Sequence, residues 1–276
     1  MIRLLQIEFI KLWNNRASKV LIISYFILLT LIALISIIKF PFGYDVKLAD
    51  IGIFNFPYIW HFNTYIAGFL KLFLAIVIVS MMANEYSNKT IKQNLIDGLS
   101  KKEFILSKFL TVISFTLIST VFVFLVSLIL GLIYSDYNEL SIIFSDLEFL
   151  LAFFVKLMGF FSFCLFLGIL VKRSAFALGF LILWQIIEGF FALLFTHRVF
   201  PNEISEKIMA LFPLQSMYNL IKQPITRLQS VQAVANQVGE KISLNYQVHT
   251  YEILIVLGWT AIFVYSSYTL LKKRDL

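Results

Sequence analysis

Lys71, Lys156 and Glu188 stand inside otherwise apolar runs of this chain. A charge at mid-bilayer costs about 3 kcal/mol on insertion scales, so such groups turn to water or to one another. Two readings are open. The three line a path for a polar substrate, or Glu188 pairs with Lys156 or Lys71 and the charges are structural. A denser polar stretch runs from 84 to 104. In it Ile91, Leu95 and Ile96 make an apolar face, with Lys92, Gln93 and Asn94 turned to water. Gly98 fits the position just past a helix end. Ser100 and Glu103 have the spacing of a capping box. The stretch therefore predicts a short surface helix, a turn, and a new helix beginning near Ser100.

Other chemistries lack their residues. None of the 11 glycines is followed by lysine, so the G-x-x-x-x-G-K-[ST] phosphate loop is missing and any use of ATP falls to another subunit. His61, His197 and His249 are far apart in the chain. No H-E-x-x-H pattern joins them, so no metal site is expected. No G-x-S-x-G elbow is present, and no catalytic residue is assigned. The single cysteine, Cys164, lies in an apolar run and excludes an internal disulfide.

The elements that position these residues follow from composition. The 276 residues are 60% hydrophobic and 14% charged, with a mean hydropathy of +0.87. Soluble domains carry roughly a quarter charged residues. Apolar runs of about 20 residues read as spanning helices, because lipid offers no partner to a free backbone N–H or C=O. Six are expected: Val20–Ile38, Trp60–Met82, Phe109–Ile133, Phe149–Val171, Ala175–Phe195 and Ile253–Leu271. The fourth and fifth are separated only by Lys172, Arg173 and Ser174, a tight hairpin. The first run has no small-residue cleavage site behind it and is expected to stay as a helix. Residues 1–19 repeat Ile2, Leu5, Phe9, Leu12 and Trp13 at helical spacing, an interfacial amphipathic pattern. The expected fold is all-α: one polytopic transmembrane domain over 1–276. It has six transmembrane helices, an N-terminal amphipathic interfacial helix and short outer helices before the last span. The latter are expected within 196–250, over Ile204–Ile221 (interrupted by Pro213) and Ile225–Val238, folded onto the outer membrane surface.

Orientation follows from lysine and arginine. With the N-terminus inside, fourteen of the 23 basic residues fall on inner segments and seven on outer loops. Both termini are therefore expected in the cytoplasm. Topology accounts for the net charge of +7 without nucleic-acid binding. Ser127, Gly131 and Ser135 repeat every four residues, a small-residue seam for close packing inside the subunit or between subunits.

Glu85-Tyr86 with Thr90, followed by Asp97-Gly98, Ser100-Lys101 and Phe104, resembles the segment shared by permease subunits of type-2 ABC transporters. The Asn-Glu-Tyr-Ser and Ile-Asp-Gly patterns are most similar to small permeases of the Bacteroidota kind. Six spans, the amphipathic N-terminal helix and the extended outer region before the last span extend the resemblance over the whole chain. It implies a non-catalytic subunit of a bacterial exporter in the inner membrane. This would pair with a second permease subunit, as homodimer or heterodimer, and with two cytosolic ATPases. ATP and magnesium would bind only in the ATPases, and the chain itself would carry no cofactor. The segment 83–108 would be the coupling element, with Glu85, Tyr86, Thr90, Asp97, Gly98, Ser100, Lys101 and Phe104 as its residues. Lys71 in the second span departs from the family pattern. Two other classes are compatible with the composition: an ATPase-independent secondary transporter or channel, and a membrane-embedded immunity or scaffold protein. The inverted repeats that mark many secondary transporters are not visible.

Overall fold

The computed structural model describes residues 2–35, 39–41, 45–47, 52–195, 207–228, 231–232, 236–237 and 245–274. The chain opens with α1 (Ile2–Asn14), breaks at Asn15 and continues as α2 (Arg16–Ile35). Asn15 makes the break, because its side-chain oxygen accepts the Ser18 N–H (3.1 Å) and caps the start of α2. The last residues of the first expected span, 36–38, lie outside the described residues. Two three-residue strands, β1 (Lys39–Pro41) and β2 (Asp45–Lys47), pair antiparallel before α3 (Tyr58–Ser87). Then come α4 (Thr90–Ile96), α5 (Lys101–Tyr134), α6 (Leu140–Ile143), α7 (Glu148–Val171) and α8 (Ser174–Leu194). In the outer region stand α9 (Pro213–Asn219) and a 3-10 turn at Ile225–Arg227, and α10 (Thr250–Lys272) closes the chain.

The fold is all-α and polytopic. Five helices, α3, α5, the run through α6 and α7, α8 and α10, are long and apolar enough to cross a membrane. The twenty-residue α2 occupies the place of the first expected span. The centre of the bundle is α7, packed against α3, α10, α5 and α8. Its Ala152, Phe153, Phe161, Ser162 and Cys164 are all fully buried. By contrast α8 exposes Phe176, Ile182, Ile186, Phe190 and Leu193.

The small-residue seam packs inside the subunit. Ser127 accepts a hydrogen bond from the Asn63 amide (2.9 Å), and Ser135 accepts one from the Phe56 N–H (3.1 Å). A Cβ on Gly131 would stand 2.2 Å from the Phe56 ring, so only glycine lets that ring reach α5.

The outer region differs from expectation. Residues 213–221 do not lie on the membrane surface but dip into the bundle, where Met217, Leu220 and Ile221 are buried. Pro213 occupies the first turn of α9 and starts the helix instead of interrupting one. Of the expected helix Ile225–Val238, the first three residues form the 3-10 turn, and much of the remainder lies outside the described residues.

Candidate functional site

The ends of α1, α3, α5, α7 and α10 meet on one face together with α4, so both termini lie on the same side. Helix α4 is tied there at each end. Only Asn88 and Lys89 separate it from α3, and Lys89 takes the left-handed conformation (φ 54°). At its far end the Gly98 N–H donates to the Leu95 carbonyl (3.2 Å) and the Leu99 N–H to the Asn94 carbonyl (3.0 Å). Gly98 has φ +96°. These two bonds and the left-handed glycine make a Schellman motif. Helix α5 then starts at once. The Ser100 hydroxyl accepts the Glu103 N–H (3.1 Å), and the Glu103 carboxylate accepts the Ser100 N–H (3.0 Å). The helix, turn and capping box read from the sequence are all present. The apolar face is not as expected: Ile91 is buried and Leu95 half-buried, but Ile96 is 75% exposed beside the exposed Asp97.

Beneath α4 lies a cluster of buried charge. Glu85, in the last turn of α3, receives the Lys108 ammonium from α5 at 2.6 Å and the Lys11 ammonium from α1 at 3.0 Å. Lys108 also reaches Glu8 of α1 at 2.6 Å and is wholly buried. The Thr90 hydroxyl, at the first residue of α4, donates to the other Glu85 carboxylate oxygen. One side chain therefore joins four helices. Burial works against the charge on Lys11, but the Glu8 and Glu85 carboxylates outweigh it and hold its pKa above the usual lysine value. An open cleft of about 450 Å³ lies beside this cluster, lined by Lys11, Asn14, Asn15, Asn84, Asn88 and Thr90 among others.

Tyr86 makes the neighbouring joint. Its hydroxyl accepts from Arg274 (2.9 Å), just past α10, and Arg274 also donates to the last carbonyls of α7, at Ile169 and Leu170. A cation there complements the negative end of that helix. Lys101 donates to the carbonyls of Lys272 (3.3 Å) and Arg274 (2.9 Å). Phe104 is buried under the Lys108 ammonium, 5.1 Å from its ring centre.

A family model described as ABC-2 family transporter protein matches residues 15–276. The chain belongs to that family. No curated protein matches it. In this ABC-2 transporter protein the matched region begins after α1, yet α1 supplies Glu8 and Lys11 to the cluster.

The residues singled out from the sequence divide by position. Glu85 and Phe104 are buried and Thr90 half-buried, Tyr86 and Lys101 hold the C-terminal end, and Asp97, Gly98 and Ser100 stand at the surface. Sequence reasoning missed Glu8, Lys108 and Arg274. One signal was available: Glu8 is the sole acidic residue before Asp45, placed in a basic segment. Lys108 and Arg274 gave no such signal, because each reads as one more inner-face basic residue.

The membrane-depth charges separate too. Glu188 accepts the Leu214 N–H (3.2 Å), the Gln215 N–H (2.8 Å) and the Trp184 indole N–H (2.6 Å). Those two amides open the first turn of α9, where no water of the bilayer core could satisfy them. Glu188 is thus spent on the buried outer helix and not on a lysine. Lys71 stands 4.2 Å from the Phe160 ring centre, and Lys156 stands 5.7 Å from that of Tyr218. Neither is in a salt bridge among the described residues.

Proposed function

We propose that this chain is the membrane-spanning permease subunit of an ABC exporter. It forms a translocation pathway with a second permease subunit and is driven by two cytosolic ATPase subunits. On this reading the face bearing α1 and α4 is cytoplasmic, and the membrane is the bacterial inner membrane. The chain catalyses nothing itself, and ATP and magnesium bind in the partner. The observation that carries the reading is the linkage of α4. Its outer side presents Lys92, Gln93, Ile96 and Asp97 to solvent. Its first residue is bound to Glu85, which is ion-paired to α1 and α5. An ATPase pressing on α4 would move several helix ends together, and it drives transport to the extent that it holds the two states of the bundle unequally. Asp97 and Ile96 are then contact residues. Glu85, Thr90 and Phe104 transmit, and Gly98, Ser100, Lys101 and Tyr86 fix the lever's ends. With Glu188 engaged elsewhere, Lys71 and Lys156 are read as groups lining the pathway between α3 and α7.

The test is co-expression with the cognate ATPase. Ile96→Asp is expected to weaken copurification by roughly thirtyfold, the scale of about 2 kcal/mol for an interface anchor, and to lower ATP turnover of the complex. Ile96→Met should keep both. Intact assembly and turnover in Ile96→Asp and in Asp97→Lys would remove the coupling assignment.

A further inference from the structure

Between α5 and α10 runs an open groove of about 660 Å³ with Lys102 at one end and Leu257 near the other. Its walls are Ile105 and Phe109 on one side and Ala261 and Val264 on the other, with Met158 of α7 also lining it. Along α10 it extends from Tyr268 to Leu257. At 1.5 Å per residue that is about 16 Å, close to the roughly 15 Å hydrocarbon depth of one leaflet. The end carrying Lys102 is also where Lys101 binds the carbonyls of Lys272 and Arg274, so Lys102 shares that end with the exposed Lys272 and Lys273. Tyr268 and Tyr265 line the same half. Aromatic hydroxyls and basic side chains at this level match the headgroup boundary.

We propose that this groove binds an anionic phospholipid of the leaflet on the side of both termini, with one acyl chain along α5 and α10 and the phosphate at Lys102. The chain alone gives no preference, because lipid tails are as apolar as the groove. Selectivity comes from the headgroup charge, against a basic site between helix ends. The site is independent of the ATPase reading. A lipid seated there would lie against the first turns of α5, directly after the α4 turn.

Native mass spectrometry of the full chain in mild detergent tests this, with phosphatidylglycerol and phosphatidylcholine of identical acyl chains as probes. The wild type is expected to retain phosphatidylglycerol about fivefold better, the ratio that about 1 kcal/mol per lysine gives. Lys102→Gln should abolish most of that preference while phosphatidylcholine retention stays the same. Ala261→Trp, which fills the groove, should lower retention of both. Lys102 and Ala261 are exposed, so both variants should melt like the wild type. Equal retention of the two lipids by the wild type, or an unchanged preference in Lys102→Gln, overturns the proposal. So does an Ala261→Trp chain that loses dimers but keeps its lipid, because the groove would then belong to a second copy.

Discussion

Lys108 stands between two carboxylates, Glu8 and Glu85, that would otherwise oppose each other in a buried site. Removing one partner of a buried ion cluster leaves the others uncompensated, a loss of about 3–5 kcal/mol. Lys108→Met is expected to cost that much in detergent-monitored thermal unfolding. Lys11→Met, at a side chain 40% exposed, should cost under about 1 kcal/mol. Similar losses from the two would mean that burial does not set the strength of the cluster. Glu188 gives a second contrast. Glu188→Ala strips the Leu214 and Gln215 amides and the Trp184 indole of their acceptor, and should destabilise by at least about 2 kcal/mol. If that variant melts like the wild type, α9 does not depend on the carboxylate. Glu85 was legible in the sequence through its motif, but its contacts were not. Glu8 lies 77 positions away in the chain, and no spacing rule joins residues so distant. The alternative of a Lys–Glu pair failed for the same reason: the partners of Glu188 are backbone amides, which carry no letter in the sequence.

At the scale of elements, the α4–α5 corner was read nearly whole because its signals are local. The capping box and the left-handed glycine act within a few residues, and both formed as read. Each makes a measurable contribution. Ser100→Ala should lower stability by about 1 kcal/mol. Gly98→Ala should cost a further 1–2 kcal/mol, roughly, because φ +96° strains any side chain there. Additive losses in the double variant would show two independent devices. The face of α4 was misjudged at Ile96 because apolar spacing marks a stripe and says nothing of how far the partner surface extends. Helix α9 was misplaced by the same logic. A short amphipathic stretch suits a membrane surface and a bundle interior equally, and the deciding group, Glu188, sits on another helix. Pro213 was taken as an interruption, although proline in a first turn is favourable.

For the whole molecule, the ends of five helices and the lever α4 gather on one face, joined by charge-assisted contacts, while α7 runs through the middle of the bundle. The composition made the membrane class and the all-α fold plain, since only helices or closed barrels satisfy the backbone in lipid. Burial within the bundle was not legible in advance, because every span is apolar on all sides. The account as a whole claims that α4 is pressed by an ATPase on the cytoplasmic side. Asp97→Cys measures this most directly. Cys164 is buried and should stay silent, so a bifunctional thiol–amine cross-linker added to membranes from co-expressing cells reports on position 97 alone. The account predicts a cross-link to the ATPase subunit whose yield changes when ATP is bound, and no labelling of position 97 by an impermeant thiol reagent in intact cells. Labelling from outside, or a cross-link pattern that ignores the ATPase, would contradict it.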